Sequence, residues 1–239
     1  MKDFLRPFYH FLKSRFHTNF SATGEDTIIA YLFQSVGIAR PSYLDIGAGS
    51  PIFGNNTYLF YKQGSKGVCV EANPILCKDL KKVRRRDVCL NYAVSTQDQP
   101  AVNFYVFNEK GISTLSKEEA DLRERSGHFK VEKTIQIPSR TINHIIAAHF
   151  SDFPDYLSLD IEGMDLEVLK SLDFTRFPIP AICVETVNYA ENHRRTKNGA
   201  IVQYLEENGY FLYADTFINS ILVNKAWYFS GPLLKIPQF

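Results

Sequence analysis

One run dictates the class of fold: residues 42–74, SYLDIGAGSPIFGNNTYLFYKQGSKGVCVEANP. Tyr43, Leu44 and Ile46 spell a short apolar strand, and Gly47-Ala48-Gly49 turns the chain sharply behind it. Glycines at such a turn let the backbone approach a bound ligand with no Cβ in the way. Residues 56–61 supply a helical turn or two, residues 67–70 form a second strand, and Glu71 stands where that strand ends. This is the front half of a βαβ nucleotide-binding unit, with an acid placed to take both hydroxyls of a ribose.

Two cofactor classes share that outline. A pyrophosphate cofactor such as NAD seats its phosphates on a helix N-terminus, where a nearby negative charge is unfavourable. Here Asp45 lies just before the turn, and Ile52 stands where the third glycine of G-x-G-x-x-G belongs. S-adenosylmethionine has no phosphate and carries sulfonium and ammonium cations that an acid attracts. Asp45, the missing glycine and Glu71 together favour S-adenosylmethionine over NAD.

At 239 residues the chain reads as one large α/β domain with room for a core. A net charge of +1 carries no overall nucleic-acid or membrane signature. Cys69, Cys77, Cys89 and Cys183 show neither C-x-x-C nor zinc spacing, and Cys69 and Cys183 fall in apolar strands. A reduced, cytoplasmic setting is therefore expected. No apolar run reaches the roughly 18 residues that a spanning helix needs.

Residues 1–19 read as a separate amphipathic helix, with Phe4, Phe8, Phe11, Leu12 and Phe16 at helical spacing among Lys2, Arg6, Lys13 and Arg15. Such a helix docks on its own domain, lies on an anionic membrane as a peripheral anchor, or packs on a partner or a second copy. The main domain then spans residues 20–239. Thr23 is the expected N-cap of the next helix, and Glu25 and Asp26 either serve its first turn or reach a cofactor. The helix after Pro74 is strongly basic through Lys78, Lys81, Lys82, Arg84, Arg85 and Arg86. A solvated face explains that run, and docking of an acidic substrate is the other reading. Ala93, after a third strand, suits the adenine side of a pocket. Residues 108–133 are polar, with a charged helix at 117–125, and form either a lid or substrate loop or a surface excursion.

The second informative run is PDYLSLDIEGMDLEVLKSLDF, residues 154–174. Its strand ends in Asp160 and Glu162, and the strand at residues 181–184 ends in Glu185. With Asp45 and Glu71, this places a ring of acids on the carboxyl rim of the sheet, where ligands of open α/β sheets gather. His193, in a polar loop at residues 186–198, is either a surface histidine or a general base. Residues 210–214 and 220–223 read as an antiparallel hairpin closing the sheet.

Over about residues 20–223 the chain resembles the FkbM family of S-adenosylmethionine-dependent methyltransferases. The likeness rests on Gly24-Glu25-Asp26, on YLDIGAG with Gly54-Asn55-Asn56-Thr57, on Glu71-Ala72-Asn73-Pro74, on DIEGMDLEVLKSL from Asp160, and on Val184-Glu185-Thr186. Ahead of Gly24 the chain departs from the family's pattern, with Ser21-Ala22-Thr23 in place of a glutamine. The resemblance implies a Rossmann-like class I methyltransferase fold, a mostly parallel sheet with a C-terminal antiparallel hairpin. It implies O-methyl transfer to a hydroxyl of a sugar, glycolipid or related secondary metabolite. The candidate cofactor-binding set is Glu25, Asp45, Gly47, Ala48, Gly49, Asn56, Glu71, Ala72, Asn73, Ala93 and Asp160. Asp160 and Glu162 are the candidate catalytic groups nearest the acceptor, with His193 as the alternative base. A metal-assisted version would use Asp160, Glu162 and Glu185 as oxygen ligands. The competing readings are a non-catalytic binding module on the same fold and, third, an NAD-dependent oxidoreductase.

Overall fold

The computed structural model describes residues 19–109, 111–188 and 196–230. The helix expected over residues 1–19 lies outside the described residues except for Asn19, and so does His193. In chain order, α1 (Glu25–Ser35), β1 (Tyr43–Ile46), α2 (Tyr58–Lys62), β2 (Gly67–Val70), α3 (Pro74–Val83) and β3 (Val88–Leu90) come first. Next are β4 (Ala93–Val94), β5 (Gln99–Phe107), α4 (Lys117–Arg125) and β6 (Val131–Arg140). Then follow α5 (Ile142–His149), β7 (Tyr156–Leu159), α6 (Asp165–Ser171) and β8 (Ala181–Glu185). The chain ends with a short ribbon, β9 (Val187–Asn188) and β10 (Thr196–Lys197), then α7 (Gly199–Glu207), β11 (Tyr210–Asp215), β12 (Asn219–Asn224) and α8 (Lys225–Ser230).

The main sheet has seven strands in the order β11-β12-β8-β7-β1-β2-β3. β3, β2, β1, β7 and β8 are parallel. β12 runs antiparallel to β8, and β11 antiparallel to β12. The chain steps outward from β1 to β3, then returns to the other side of β1 through β7. That reversal opens a crevice at the carboxyl ends of β1 and β7, the place where open α/β sheets bind ligands. The architecture is Rossmann-like, with the C-terminal antiparallel hairpin expected from the sequence. Among the described residues no helix is long and apolar enough to cross a membrane.

The central strands are buried on both faces, so they read as apolar runs rather than as alternation. Strand pleating still sorts them. Leu44 and Ile46 pack with Leu157, Leu159 and the helices α5 and α6. Tyr43, Cys69, Tyr156 and Cys183 face the opposite way, onto α1 and Phe60 of α2. A second sheet, β4-β6-β5, stands apart from the first. Residues 108–130 connect its two long strands, which pair antiparallel.

Three local expectations are corrected. Gly24, with φ 97°, occupies the N-cap of α1, and Thr23 instead donates its backbone N–H to Glu25 at 2.9 Å. A left-handed cap suits glycine, whereas a β-branched threonine resists it. α2 begins at Tyr58, because Asn55 and Thr57 turn back to bracket Asp45. Arg84 is not on a solvated face: it is fully buried.

The Arg84 guanidinium donates to Asp87 at 2.8 Å, Tyr43 at 3.0 Å, Thr57 at 2.9 Å, Asn55 at 3.1 Å and the Pro51 carbonyl at 3.4 Å. Those contacts engage all five N–H donors of the group. Asp87 in turn accepts from the Tyr43 hydroxyl and from Gly67 N. A buried ion pair is expensive to break on one side, because the surviving charge stays desolvated. Arg84→Ala should therefore destabilise the fold by about 3–5 kcal/mol. Urea denaturation checks this, and a loss below about 1 kcal/mol would show that water reaches Asp87 and Asp45.

Candidate functional site

The switch-point crevice forms because three strand ends converge there. Gly47 N donates to the Val70 carbonyl at 2.9 Å, and Asp160 N donates to the Ile46 carbonyl at 3.0 Å. Gly47 has φ 79°, and a Cβ on it would stand 1.7 Å from the Asp160 carbonyl oxygen. No other residue fits that approach, so the glycine serves packing between strand ends as well as the turn.

Glu71 follows β2 and is nearly buried, at 7% exposure. One carboxylate oxygen accepts from Gly49 N at 2.8 Å and the other from Asn73 N at 2.7 Å. Burial raises its pKa, and these two N–H groups work against that rise. The carboxylate is thus aimed before any ligand arrives. Asn73 caps α3, accepting from Ile75 N at 3.0 Å.

These residues line a cleft of about 560 Å³, open to solvent at its mouth. Its walls include Gly47, Gly49, Glu71, Ala72, Asn73, Ala93, Asp160 and Glu162, with Leu76, Val94, Phe104 and Leu115 as the apolar part. Apolar walls with a few convergent polar groups are the lining that suits a nucleoside ligand. Four sequence candidates are absent from those walls: Asp45, Ala48, Asn56 and Glu25.

The pleat explains Asp45, which shares the face of Tyr43 and points away from the cleft. Its carboxylate accepts from Thr57 Oγ1 at 2.7 Å and Asn55 Nδ2 at 3.0 Å. Burial raises its pKa, opposed by Thr57, Arg84 and Asn55. Asp45, expected at the cofactor, lies outside the cleft walls, and Asn55, which bonds it, also donates to the Ala48 carbonyl at 2.9 Å, holding the glycine turn. Ala48 packs in the core beside Tyr43. Asn56 donates to Ser158 Oγ at 3.3 Å. Glu25 is fully buried and accepts from Thr216 Oγ1 at 2.7 Å and Asn219 Nδ2 at 2.8 Å, pinning α1 to the β11–β12 turn. Burial would raise its pKa, but the bonds from Asn219, Thr23 and Thr216 win and hold it at about 2.

Asp160, Glu162 and Glu185 converge, with one carboxylate oxygen from each lying within 4.8 Å of the others. Oδ1 of Asp160 is buried without a hydrogen-bond partner. Burial, then repulsion from Glu185, Glu162 and Asp165, raises the Asp160 pKa strongly. Burial and the charges of Glu162 and Asp165 push Glu185 up to about 8. Burial and repulsion among these acids thus favour a proton on the Asp160–Glu185 pair.

Glu162 sits in the left-handed region at φ 59°, unusual for a residue with a side chain. Asp165 holds that turn by accepting from Ile161 N at 3.1 Å and Gly163 N at 3.3 Å. Thr114 donates to the Glu162 carbonyl at 2.8 Å, and Arg123 of α4 bonds the Glu162 carboxylate and, at 3.0 Å, Glu119. Residues 108–130 are therefore fastened over the acids. Gly111, Ser113 and Leu115 face the cleft, while Ile112, Leu122, Arg123 and Phe129 line a second, larger cavity of about 1370 Å³. Glu162 lines both cavities, and Glu185 and Asn198 line the second. Sequence reading missed Arg123 and Asp165; Asp165 had a signal in its place two residues after Gly163, and Arg123 had none.

The retained proton makes a stability prediction. Between about pH 5 and about pH 8 folded Glu185 keeps a proton that the unfolded chain releases, so stability falls as pH rises. The thermal midpoint of the native chain should drop over that interval more steeply than that of Glu185→Gln. Parallel curves would place the proton elsewhere.

A family model described as the methyltransferase FkbM domain matches residues 45–212. No curated protein matches the sequence. Among solved structures, a TehB-like SAM-dependent methyltransferase from Corynebacterium glutamicum is 12% identical, with a TM-score of 0.44, covering 94% of this chain and 97% of its own. Trm1 from Pyrococcus horikoshii, in complex with S-adenosyl-L-methionine, is 14% identical with a TM-score of 0.40, covering 88% of this chain and 57% of its own. The matched segment runs from β1 into β11 and takes in the glycine turn, Glu71 and all three converging acids, so the chain belongs to the FkbM family of S-adenosylmethionine-dependent methyltransferases.

Proposed function

We propose that this methyltransferase transfers its methyl group to oxygen, on a hydroxyl of a sugar, glycolipid or related secondary metabolite. The observation that carries the reading is the carboxylate trio standing at the boundary between the switch-point cleft and the larger cavity. The cleft suits the donor. Glu71 is pre-aimed for the ribose hydroxyls, Ala93, Val94, Leu76 and Phe104 offer an apolar slot for the adenine, and Gly47 and Gly49 give backbone access beside Asp160. Bound there, S-adenosylmethionine supplies a methyl group on a sulfonium centre, an electrophile that needs no metal or redox partner.

The chain adds orientation, exclusion of water and a place for the acceptor's proton. A sugar hydroxyl is a weak acid, so a base must stand near it. Burial and mutual repulsion raise the proton affinity of Asp160 and Glu185. The pair, holding one proton, keeps one negative charge and takes the hydroxyl proton on that free carboxylate. The retained proton also limits negative charge beside the sulfonium, so the donor's cation is not held too firmly in the ground state. Glu162, fixed by Arg123, orients the acceptor from the second cavity. Phe129 and Leu166 offer apolar faces to a sugar ring or lipid chain. This lining supports a small-molecule or carbohydrate acceptor.

The closeness of the trio, with the unpartnered Asp160 oxygen, also favours a second reading in which a divalent cation holds the acceptor. Turnover that is lost on EDTA treatment and restored by magnesium would select it.

Titration calorimetry against S-adenosylmethionine, S-adenosylhomocysteine and NAD tests the donor. The two sulfur ligands should bind, NAD should not, and Glu71→Ala should weaken binding by at least about tenfold, the worth of one charge-assisted hydrogen bond. Asp160→Asn should lower turnover by about 100-fold or more with donor affinity nearly unchanged. If Asp160→Asn and Glu162→Gln both keep turnover within a few-fold, the acids are not the base. Donor binding with no turnover on any hydroxylated acceptor would instead favour a binding module.

A further inference from the structure

We propose that Cys69 and Cys89 form an oxidisable dithiol, a modification site at which hydroperoxides drive a reversible disulfide beside the donor cleft. The two residues are partners in the parallel pairing of β2 with β3. Strands in a sheet lie about 4.8 Å apart, and residues in register send their side chains to the same face. That spacing falls within the roughly 4.4–6.8 Å between Cα atoms that disulfides span. Both side chains pack on the same buried cluster, and Cys69 Sγ donates to Asp87 Oδ2 at 3.6 Å.

Their exposures differ in the way a two-step oxidation needs. β3 is the edge of the main sheet, and Cys89 is half-buried there. Cys69, one strand inward, has no exposed surface. Cys89 is thus the thiol that meets an oxidant, and Cys69 the one that resolves it. Contact with the Cys69 thiol holds the Cys89 pKa below its ordinary value; burial and Asp87 oppose this, while Arg84 and Lys81 assist. Thiolate character and access select the reacting cysteine.

In the first step the Cys89 thiolate attacks a peroxide oxygen. The S–O bond forms, the O–O bond breaks, and the departing hydroxide takes a proton to leave as water. In the second, the Cys69 sulfur attacks the Cys89 sulfenic acid. The S–S bond forms, the S–O bond breaks, and the second oxygen leaves as water with the Cys69 proton. Two thiols are oxidised by two electrons and hydrogen peroxide is reduced to two waters. Cys89 is only half-buried on an edge strand, so the bridge stays open to reducing thiols.

The bridge would act where the donor is held. Glu71 lies two residues past Cys69, and its N–H donates to the Leu90 carbonyl at 3.0 Å. Asn91 Nδ2 donates to the carbonyls of Glu71 at 2.8 Å and Ala72 at 3.0 Å. Drawing β3 onto β2 shifts that frame. This consequence rests on the donor reading above; the bridge itself does not.

The full chain is titrated with hydrogen peroxide, free thiols are alkylated after unfolding, and peptides are mapped by mass spectrometry. Two of the four cysteines should lose alkylation together. A peptide joining Cys69 to Cys89 should appear, vanish with dithiothreitol, and be absent from Cys89→Ser and from Cys69→Ala. Donor affinity by calorimetry should fall on oxidation of the native chain and stay constant in oxidised Cys89→Ser. A Cys77–Cys89 bridge, or sulfinic acid at Cys89 with no bridge, overturns the proposal. If the unoxidised chain binds no donor, the donor reading fails, while the mass map still decides the bridge.

Discussion

All five N–H donors of Arg84 end inside the protein, and the groups they reach come from separate segments: Tyr43 on β1, Pro51 and Asn55 after the glycine turn, Thr57 before α2, and Asp87 before β3. A guanidinium is suited to this because its planar fork stays charged at any ordinary pH and loses little freedom when fixed. Around it stand two buried acids, Asp87 and Asp45, and the rings of Tyr43, Tyr58 and Tyr61. Each acid would be costly alone; with the cation between them and every donor engaged, the network is satisfied. Its link to the crevice is Asn55, which accepts from Arg84 and donates to the Ala48 carbonyl inside the glycine turn. The glycine turn is thus held from the opposite face of the sheet.

The acids on the crevice side obey a different balance. Asp160, Glu162, Glu185 and Asp165 crowd one region, with Arg123 as the cation that contacts Glu162. Four like charges at that spacing do not all ionise, and the outcome is division of labour. Asp165 spends its oxygens on two backbone N–H groups, Glu162 pairs with Arg123, and Asp160 and Glu185 share a proton. Arg123 comes from α4, so the segment between β5 and β6 is bound to the acids by charge. The same segment separates the two cavities, with its alternate residues facing each. The position of that segment and the charge state of the acids are therefore coupled through one ion pair.

Much of the layout was legible in residue patterns. The β1 and β2 strands, the glycine turn, Glu71, the Pro74 helix start and the Asp160 strand tip all follow from local rules about apolar runs, glycine and proline. Asp45 shows where linear reading stops. In YLDIGAG the acid looks adjacent to the ligand, yet period-two alternation puts it beside Tyr43, behind the sheet. That signal was present, since Ile46 and Asp45 cannot both face the cleft. Arg84 read as one of six basic residues, and nothing local distinguishes it from Arg85 or Arg86. Only its position against Tyr43 and Asp87 buries it. Glu25 read as an acid near a ligand, and its partners, Thr216 and Asn219, lie far along the chain.

Sequence by itself determined the class of sheet, the strand ends that carry acids, and the type of nucleoside ligand, because those depend on short-range backbone geometry and on residues within one βαβ unit. Tertiary structure decided which acids line the cleft, which pair shares a proton, and which segment is bonded to them. Those are properties of distance and dielectric. A carboxylate's role turns on whether its nearest neighbour is an N–H, a guanidinium or another carboxylate, and strands far apart in the chain supply those neighbours.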